Sequence, residues 1–169
     1  HSFFQFGIGP YIPGVMEPQS GFRMNKSKLE LIRNLQLLII DEISMVRADL
    51  MDHIDVTLRR IRRSSKPFGG VQLLMIGDLQ QLPPIAHGSE EDMLRQYYKT
   101  LYFFSSSALK SIRYSCIELK NVYRQTDSHF IDILNHARNC CLTVQDISDL
   151  NARFRPDFTP PPEEGYIRL

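Results

Sequence analysis

Two short apolar runs constrain this chain more than any other feature, because each is long enough only for a strand and each ends in an acid. Leu37-Leu38-Ile39-Ile40 runs directly into Asp41-Glu42, and the apolar stretch 71–76 runs into Gly77-Asp78. The unbroken apolar character of the first run suits a buried strand rather than one with a wet face. Between the two runs, Val46, Leu50, Ile54, Leu58 and Ile61 recur at the spacing of one helix face. Ser44 stands where it could cap that helix, and Pro67-Phe68-Gly69-Gly70 breaks it. Strand, helix, strand in this order predicts a parallel sheet covered on both faces. Ligands bind such sheets beyond the carboxyl ends of the strands, which is where both acidic endings fall.

The rest of the chain fits the same plan. Residues 7–21 carry glycines and prolines throughout and read as loop or irregular ribbon. Leu29, Ile32 and Leu35 follow a polar stretch at helical spacing. Further helices are expected over 90–98, 105–111, 129–139 and 145–154. A third strand is expected over 116–119, a proline-rich acidic linker over 156–164, and the start of another strand at 166–169. The length of 169 residues suffices for an ordinary domain with a real core. No apolar run approaches the roughly 18 residues of a membrane span, and no secretory leader is expected from the opening residues. Net charge is only +1, so any contact with nucleic acid must be local rather than a bulk effect. The one basic cluster is Arg59, Arg60, Arg62, Arg63 and Lys66. It reads either as a solvated helix end whose cations suit the helix dipole or as a phosphate-contacting patch. Cys116, Cys140 and Cys141 lack C-x-x-C spacing, which argues against a zinc site or a disulfide framework and for a reducing compartment.

Three stretches carry candidate chemistry. A buried strand ending in Asp41-Glu42 is what a nucleotide hydrolase uses: one carboxylate holds Mg²⁺, usually through water, and its neighbour polarises the attacking water. Alone, that ending is equally that of an ordinary strand. Gly77-Asp78-Leu79-Gln80-Gln81-Leu82-Pro83-Pro84 is more specific. Glycine permits a sharp exit from the strand, and Asp78 supplies a second carboxylate near the first if the two strands are neighbours. Gln81 can report on a terminal phosphate through its neutral amide. The two prolines stiffen the chain beyond the turn. Arg124, after the expected third strand, has a planar fork suited to phosphate oxygens, although a lone arginine is by default a surface ion pair.

Taken in order, these stretches resemble consecutive motifs of a known family. His1-Ser2-Phe3-Phe4, Asp41-Glu42-Ile43-Ser44-Met45, the run from Gly77 to Pro84 and Tyr123-Arg124-Gln125 are similar to those of the PIF (petite integration frequency) branch of superfamily-one DNA helicases, close to RecD-like enzymes. Lys66-Pro67-Phe68-Gly69-Gly70-Val71 and Tyr97-Tyr98-Lys99 extend the likeness over essentially the whole chain, and it looks closest to bacterial members from Bacteroides-like organisms. The resemblance implies ATP and Mg²⁺ as cofactors. Asp41 would hold the metal, Glu42 would activate water, Gln81 would sense the terminal phosphate and couple it to DNA, and Arg124 would be an arginine finger. His1, Ser2 and Phe3 would touch single-stranded DNA, with Phe3 either a stacking surface or a core side chain. Residues 7–27 fall where the family carries a small strand-separating wedge. The implied partners are single-stranded DNA, duplex junctions and ATP, with 5′-to-3′ unwinding in genome maintenance and a cytoplasmic, nucleoid-associated location in a bacterium.

One departure from the family matters. No G-x-x-x-x-G-K-[ST] loop occurs in the sequence, and backbone N–H groups and a lysine in such a loop cradle the triphosphate. The expected fold is therefore an α/β, RecA-like P-loop NTPase core with a mostly parallel sheet, truncated before its phosphate-binding loop and first strand. Residues 1–125 would form part of a first motor domain, and 126–169 a helical linker and the start of a second. The isolated chain is expected to be inactive, with an open sheet edge or apolar surface that self-association could cover. Two other readings stay open: a catalytically dead DNA- or protein-binding module, and a RecD-like exonuclease-complex subunit.

Overall fold

The computed structural model describes residues 11–12, 26–156 and 158–159. The sequence readings for His1, Ser2 and Phe3, for most of 7–27 and for the strand at 166–169 lie outside these. The chain divides into two compact units, the first running to Cys116 and the second beginning at Ile117.

The first unit contains α1 (Lys26–Asn34), β1 (Leu37–Ile40), α2 (Ala48–Arg62), β2 (Gln72–Met75), α3 (Ser89–Tyr97) and α4 (Ser107–Lys110). Short 3₁₀ turns lie at Ile43–Met45, Pro67–Gly70 and Phe103–Ser105. β1 and β2 pair in parallel, with Leu37 opposite Gln72 and Ile40 opposite Met75. Side chains alternate across a strand, so Leu38, Ile40, Leu73 and Met75 share one face. That face packs on a core that includes Ile32, Ile43, Met51, Ile54, Leu58, Phe68 and Leu109. Burying a side chain such as Leu58 contributes roughly 1.5–3 kcal/mol. The opposite face is open, with Ile39 at 55% and Leu74 at 45% exposure. The expectation of a sheet covered on both faces is thus corrected: among the described residues, apolar cover reaches only one.

α2 is the axis of this unit. Asp49 in its first turn and Arg59, Arg60 and Arg62 in its last complement the helix dipole. Ser44 does not cap it. The N-cap position belongs to Arg47 in extended conformation, without a side-chain cap, and its guanidinium instead pairs with Asp49 at 2.7 Å and Glu90 at 3.0 Å. Ser44 sits fully buried within the preceding 3₁₀ turn. A second core of Ile12, Ala48, Ala86, Leu94, Tyr98 and Leu101 joins α2 to α3.

Two further expectations change. The helix over 105–111 splits, because Ser106 is extended and its hydroxyl accepts from Leu109 N–H to start α4 anew. The third strand at 116–119 does not form: residues 113–127 contain neither helix nor strand, and Ile117 and Leu119 are 83% and 88% exposed. An apolar run becomes a strand only by pairing, and no neighbouring edge among the described residues takes this one.

The second unit holds α5 (Ser128–Arg138) and α6 (Val144–Asn151). Asp127 caps α5 by accepting from Phe130 N–H, and Thr143 and Asp146 form a reciprocal capping box on α6. His136 Nδ1 meets Asp146 Oδ2, and His129 Nε2 meets Asp149 Oδ2, each at 2.9 Å, tying the helices into a hairpin. Hydrogen bonds from the Thr143 backbone, its hydroxyl and then His136 hold the Asp146 carboxyl below the usual carboxylate range.

Candidate functional site

The parallel pairing places Asp41 and Asp78 just beyond the carboxyl ends of adjacent strands. Hydrogen bonding continues past the strands themselves, since Ile76 N–H donates to Ile40 O and Ile43 N–H donates to Ile76 O, both at 2.9 Å. Gly77 makes this approach possible. A Cβ there would lie 2.9 Å from Ile43 N and 3.0 Å from its Cγ2. The glycine is needed for close packing of one loop on the other, and it is not among the residues with positive φ.

Each loop is organised from within. Glu42 adopts the left-handed region (φ 51, ψ 45), which costs a non-glycine residue on the order of 1 kcal/mol. Its N–H donates to Asp41 Oδ1 at 2.9 Å, and its carbonyl accepts from Met45 N–H at 3.0 Å. The left-handed turn lifts the chain off β1 and leaves both acids exposed. Across from it, Asp78 Oδ1 accepts from Gln80 N–H at 3.0 Å and Oδ2 from the Gln81 side-chain amide at 3.2 Å. Asp78 therefore orients Gln81 as well as adding charge. The structure brings together Asp41, Glu42, Asp78 and Gln81. Arg124 belongs to the second unit, exposed in the segment leading to α5. There Gln125 accepts from the N–H groups of Thr126 and Asp127.

No group of three or more His, Cys, Asp or Glu side chains assembles into a cation cage among the described residues. With one oxygen of Asp41 engaged by Glu42 N–H, the donor set fits an ion that keeps its waters and takes its other ligands from a substrate, as Mg²⁺ does.

The sequence reading missed the buried acids of α2. Asp49, Asp52 and Asp55 are 1%, 3% and 6% exposed. Asp49 accepts from Tyr11 N–H and Arg47, Asp52 from the Tyr98 hydroxyl and the N–H groups of Ser107 and Ala108, and Asp55 from Phe68 N–H and Arg59. Burial, then the bond to Asp52, pushes the Tyr98 phenol up. His53, stacked on Tyr11 with ring centroids 5.3 Å apart, is held below its ordinary value by burial. The available signal was the spacing of acids by three residues along the helix that also carries the apolar stripe.

Parallel strands covered by a helix, with paired polar loops at their carboxyl ends, define an α/β core, and its likeness to a solved helicase makes that core RecA-like, of the P-loop class. The chain belongs to the PIF1-like helicase family, which matches residues 1–147. It is 42% identical over 119 residues to the ATP-dependent DNA helicase RRM3 of Saccharomyces cerevisiae, an alignment covering 70% of this chain and 16% of that protein. It is 36% identical over 169 residues to the ATP-dependent DNA helicase PIF1 of the same species, covering 99% of this chain and 18% of that protein. The crystal structure of a Bacteroides Pif1 helicase in complex with ADP-AlF3 and ssDNA matches with a TM-score of 0.84 and 36% identity, over 92% of this chain and 36% of that one. The chain thus spans under a fifth of these curated relatives and about a third of the solved helicase.

Proposed function

We propose that this chain is the part of an ATP-dependent DNA helicase that reads the bound nucleotide and passes its state to single-stranded DNA, with 5′-to-3′ translocation and unwinding at duplex junctions performed by the longer protein. The observation that carries this reading is the contact between the Asp41-Glu42 and Asp78–Gln81 loops across Gly77 and Ile43. A triphosphate resting on that seam would meet a carboxylate pair from one strand and a neutral amide from the next.

In this reading Asp41 would hold Mg²⁺, and the ion when bound would neutralise phosphate charge. Glu42 accepts a proton from the attacking water. Gln81, held by Asp78, makes or loses a hydrogen bond according to whether the terminal phosphate is present. Arg124 serves as the arginine finger that meets developing phosphate charge. His1, Ser2 and Phe3 contact the DNA strand. Residues 1–125 belong to the first motor domain and 126–169 to the linker and the start of the second. Repair and recombination on bacterial nucleoid DNA are the settings where such an activity would act, with telomere maintenance a setting only where the chromosome is linear. Support comes from the complex with ADP-AlF3 and ssDNA formed by the Bacteroides relative.

The test uses a protein that carries this chain together with a glycine-lysine phosphate loop, with the chain alone as a baseline expected to turn over ATP negligibly. Glu42→Gln keeps the metal ligand and removes the base, so nucleotide binding persists while turnover falls by about 10²–10⁴. Arg124→Ala lowers turnover by roughly 10³–10⁵. Normal steady-state hydrolysis in either variant would overturn the assignment of that residue.

A further inference from the structure

The basic cluster of the sequence resolves into residues with different fates. Arg59 pairs with Asp55 and donates to Ser65 O. Arg62 is a fastener: its Nε donates to Gly69 O at 2.9 Å, and its Nη1 to the carbonyls of Ile32, Arg33 and Leu35 at 3.0, 2.7 and 2.8 Å. One guanidinium therefore joins the last turn of α1 to the Pro67–Gly70 turn and satisfies carbonyls that the helix end would leave orphaned. Beside it lies a cavity of about 630 Å³ whose walls include Arg33, Arg62, Arg63, Lys66, Gly69 and Gly70. No carboxylate among the described residues lines it. Arg33, Arg63 and Lys66 have no acidic partner among the described residues.

Helix-dipole complementation alone does not account for this concentration of charge. The ends of α1 and α2 contribute about half a negative charge each, against four formal positive charges in the lining. Arg62 already serves the end of α1, so the other three cations are in excess. The walls are also preset: Arg63, Gly69 and Gly70 hold left-handed conformations at φ 51, 62 and 79, and a Cβ at Gly69 would strike Leu58 O at 2.8 Å. A pocket with guanidinium forks, an ammonium group and no carboxylate suits a tetrahedral oxyanion. It sits at the amino ends of β1 and β2, because Arg62 grips the residues just before Leu37 and Gln72 N–H donates to Gln36 O. The Asp41 and Asp78 loops are at the opposite ends, about 13 Å away along four residues of strand.

We propose that this cavity is a phosphate-binding site, separate from the nucleotide seam, that takes either a nucleic-acid backbone phosphate or free phosphate. The proposal does not depend on the helicase reading, since its first probe is inorganic phosphate. In the full chain, at constant ionic strength set with chloride, phosphate titration should move the Gly69 and Gly70 amide signals saturably. The double variant Arg63→Asn, Lys66→Gln, in which asparagine tolerates the left-handed turn, should weaken that affinity by about tenfold, the equivalent of roughly one charge-assisted hydrogen bond. A second arm follows oligothymidylate binding against salt. If the pocket holds a backbone phosphate, the variant's log–log slope falls by about 0.7 for each phosphate it no longer neutralises. An unchanged slope with a lost phosphate response assigns the site to the free ion. Wild-type amides that respond to neither probe overturn the proposal, even if the variant fails to fold. So do shifts that persist undiminished in a folded variant.

Discussion

Asp52 is buried on α2, where it accepts from the Tyr98 hydroxyl at 2.8 Å and from Ser107 and Ala108 N–H at 3.1 and 2.8 Å. The two backbone donors open α4, a helix of only four residues that cannot satisfy them itself. A carboxylate borrowed from another helix does so and fixes α3, through Tyr98 at its end, to the same point. Asp52→Ala leaves these donors buried without an acceptor, at about 1–3 kcal/mol each, so a loss of roughly 3 kcal/mol or more in urea unfolding is expected. Asp52→Asn keeps one acceptor oxygen but turns an NH₂ toward donors, and should fall between the alanine variant and the wild type. An alanine variant within about 0.5 kcal/mol of the wild type, the range of ordinary surface changes, would mean that water replaces the carboxylate and that the site is not dry.

At the scale of elements, the exits of β1 and β2 are bound to each other more tightly than the strands require. Gly77→Ala would place a methyl group 2.9 Å from Ile43 N, and backbone cannot yield as a side-chain tip can. Overpacking of this kind costs roughly 1–3 kcal/mol, and the cheapest relief is to part the two loops. Amide signals of Glu42, Ile43 and Gln81 should shift together while those of α5 and α6 stay in place; unmoved loop signals would show that the seam is more compliant than its geometry suggests. The elements most legible in the sequence were those whose cause is local. β1 was readable from four consecutive apolar residues, β2 from the run that contains it, and α2 from its apolar stripe. What escaped depended on partners distant in the chain. Ser44 has a capping side chain in a capping position, yet the chain takes a 3₁₀ turn there and the hydroxyl is buried. The run at 116–119 has strand composition but, among the described residues, no edge to pair with. The nearness of Asp41 to Asp78 was legible only on the condition that the two strands are neighbours, and their parallel pairing meets that condition. The Asp78–Gln81 bond was not legible, because loop side-chain geometry has no periodic signature.

Across the whole molecule, the most consequential feature is the sheet face that no described residue covers. Leu37, Ile39, Leu74 and Ile76 are 42%, 55%, 45% and 44% exposed; the register sets Ile39 beside Leu74, and alternation puts Leu37 and Ile76 on the same face two residues along their strands. Adjacent apolar side chains on a flat surface form the kind of contiguous patch that folded chains seldom leave to water. The chain should therefore bind an environment-sensitive apolar dye such as anilinonaphthalene sulfonate while keeping its native near-ultraviolet circular dichroism. The second unit, with its own exposed apolar side chains on α5 and α6, is a competing source of signal, so substitution decides between them. Ile39→Thr with Leu74→Thr removes apolar surface from the face, and threonine at 39 keeps the branched side chain that suits a strand. It should lower dye fluorescence with little loss of stability, because the replaced side chains are already wet. On the covered face the reverse holds: Leu38→Ala with Leu73→Ala should leave the dye signal and destabilise the chain, each by less than the roughly 2–5 kcal/mol of a fully buried position, because both are partly buried. Dye binding that ignores the Ile39 and Leu74 changes would locate the exposed surface elsewhere, and the alternation that assigns one face to core and one to solvent would then be wrong.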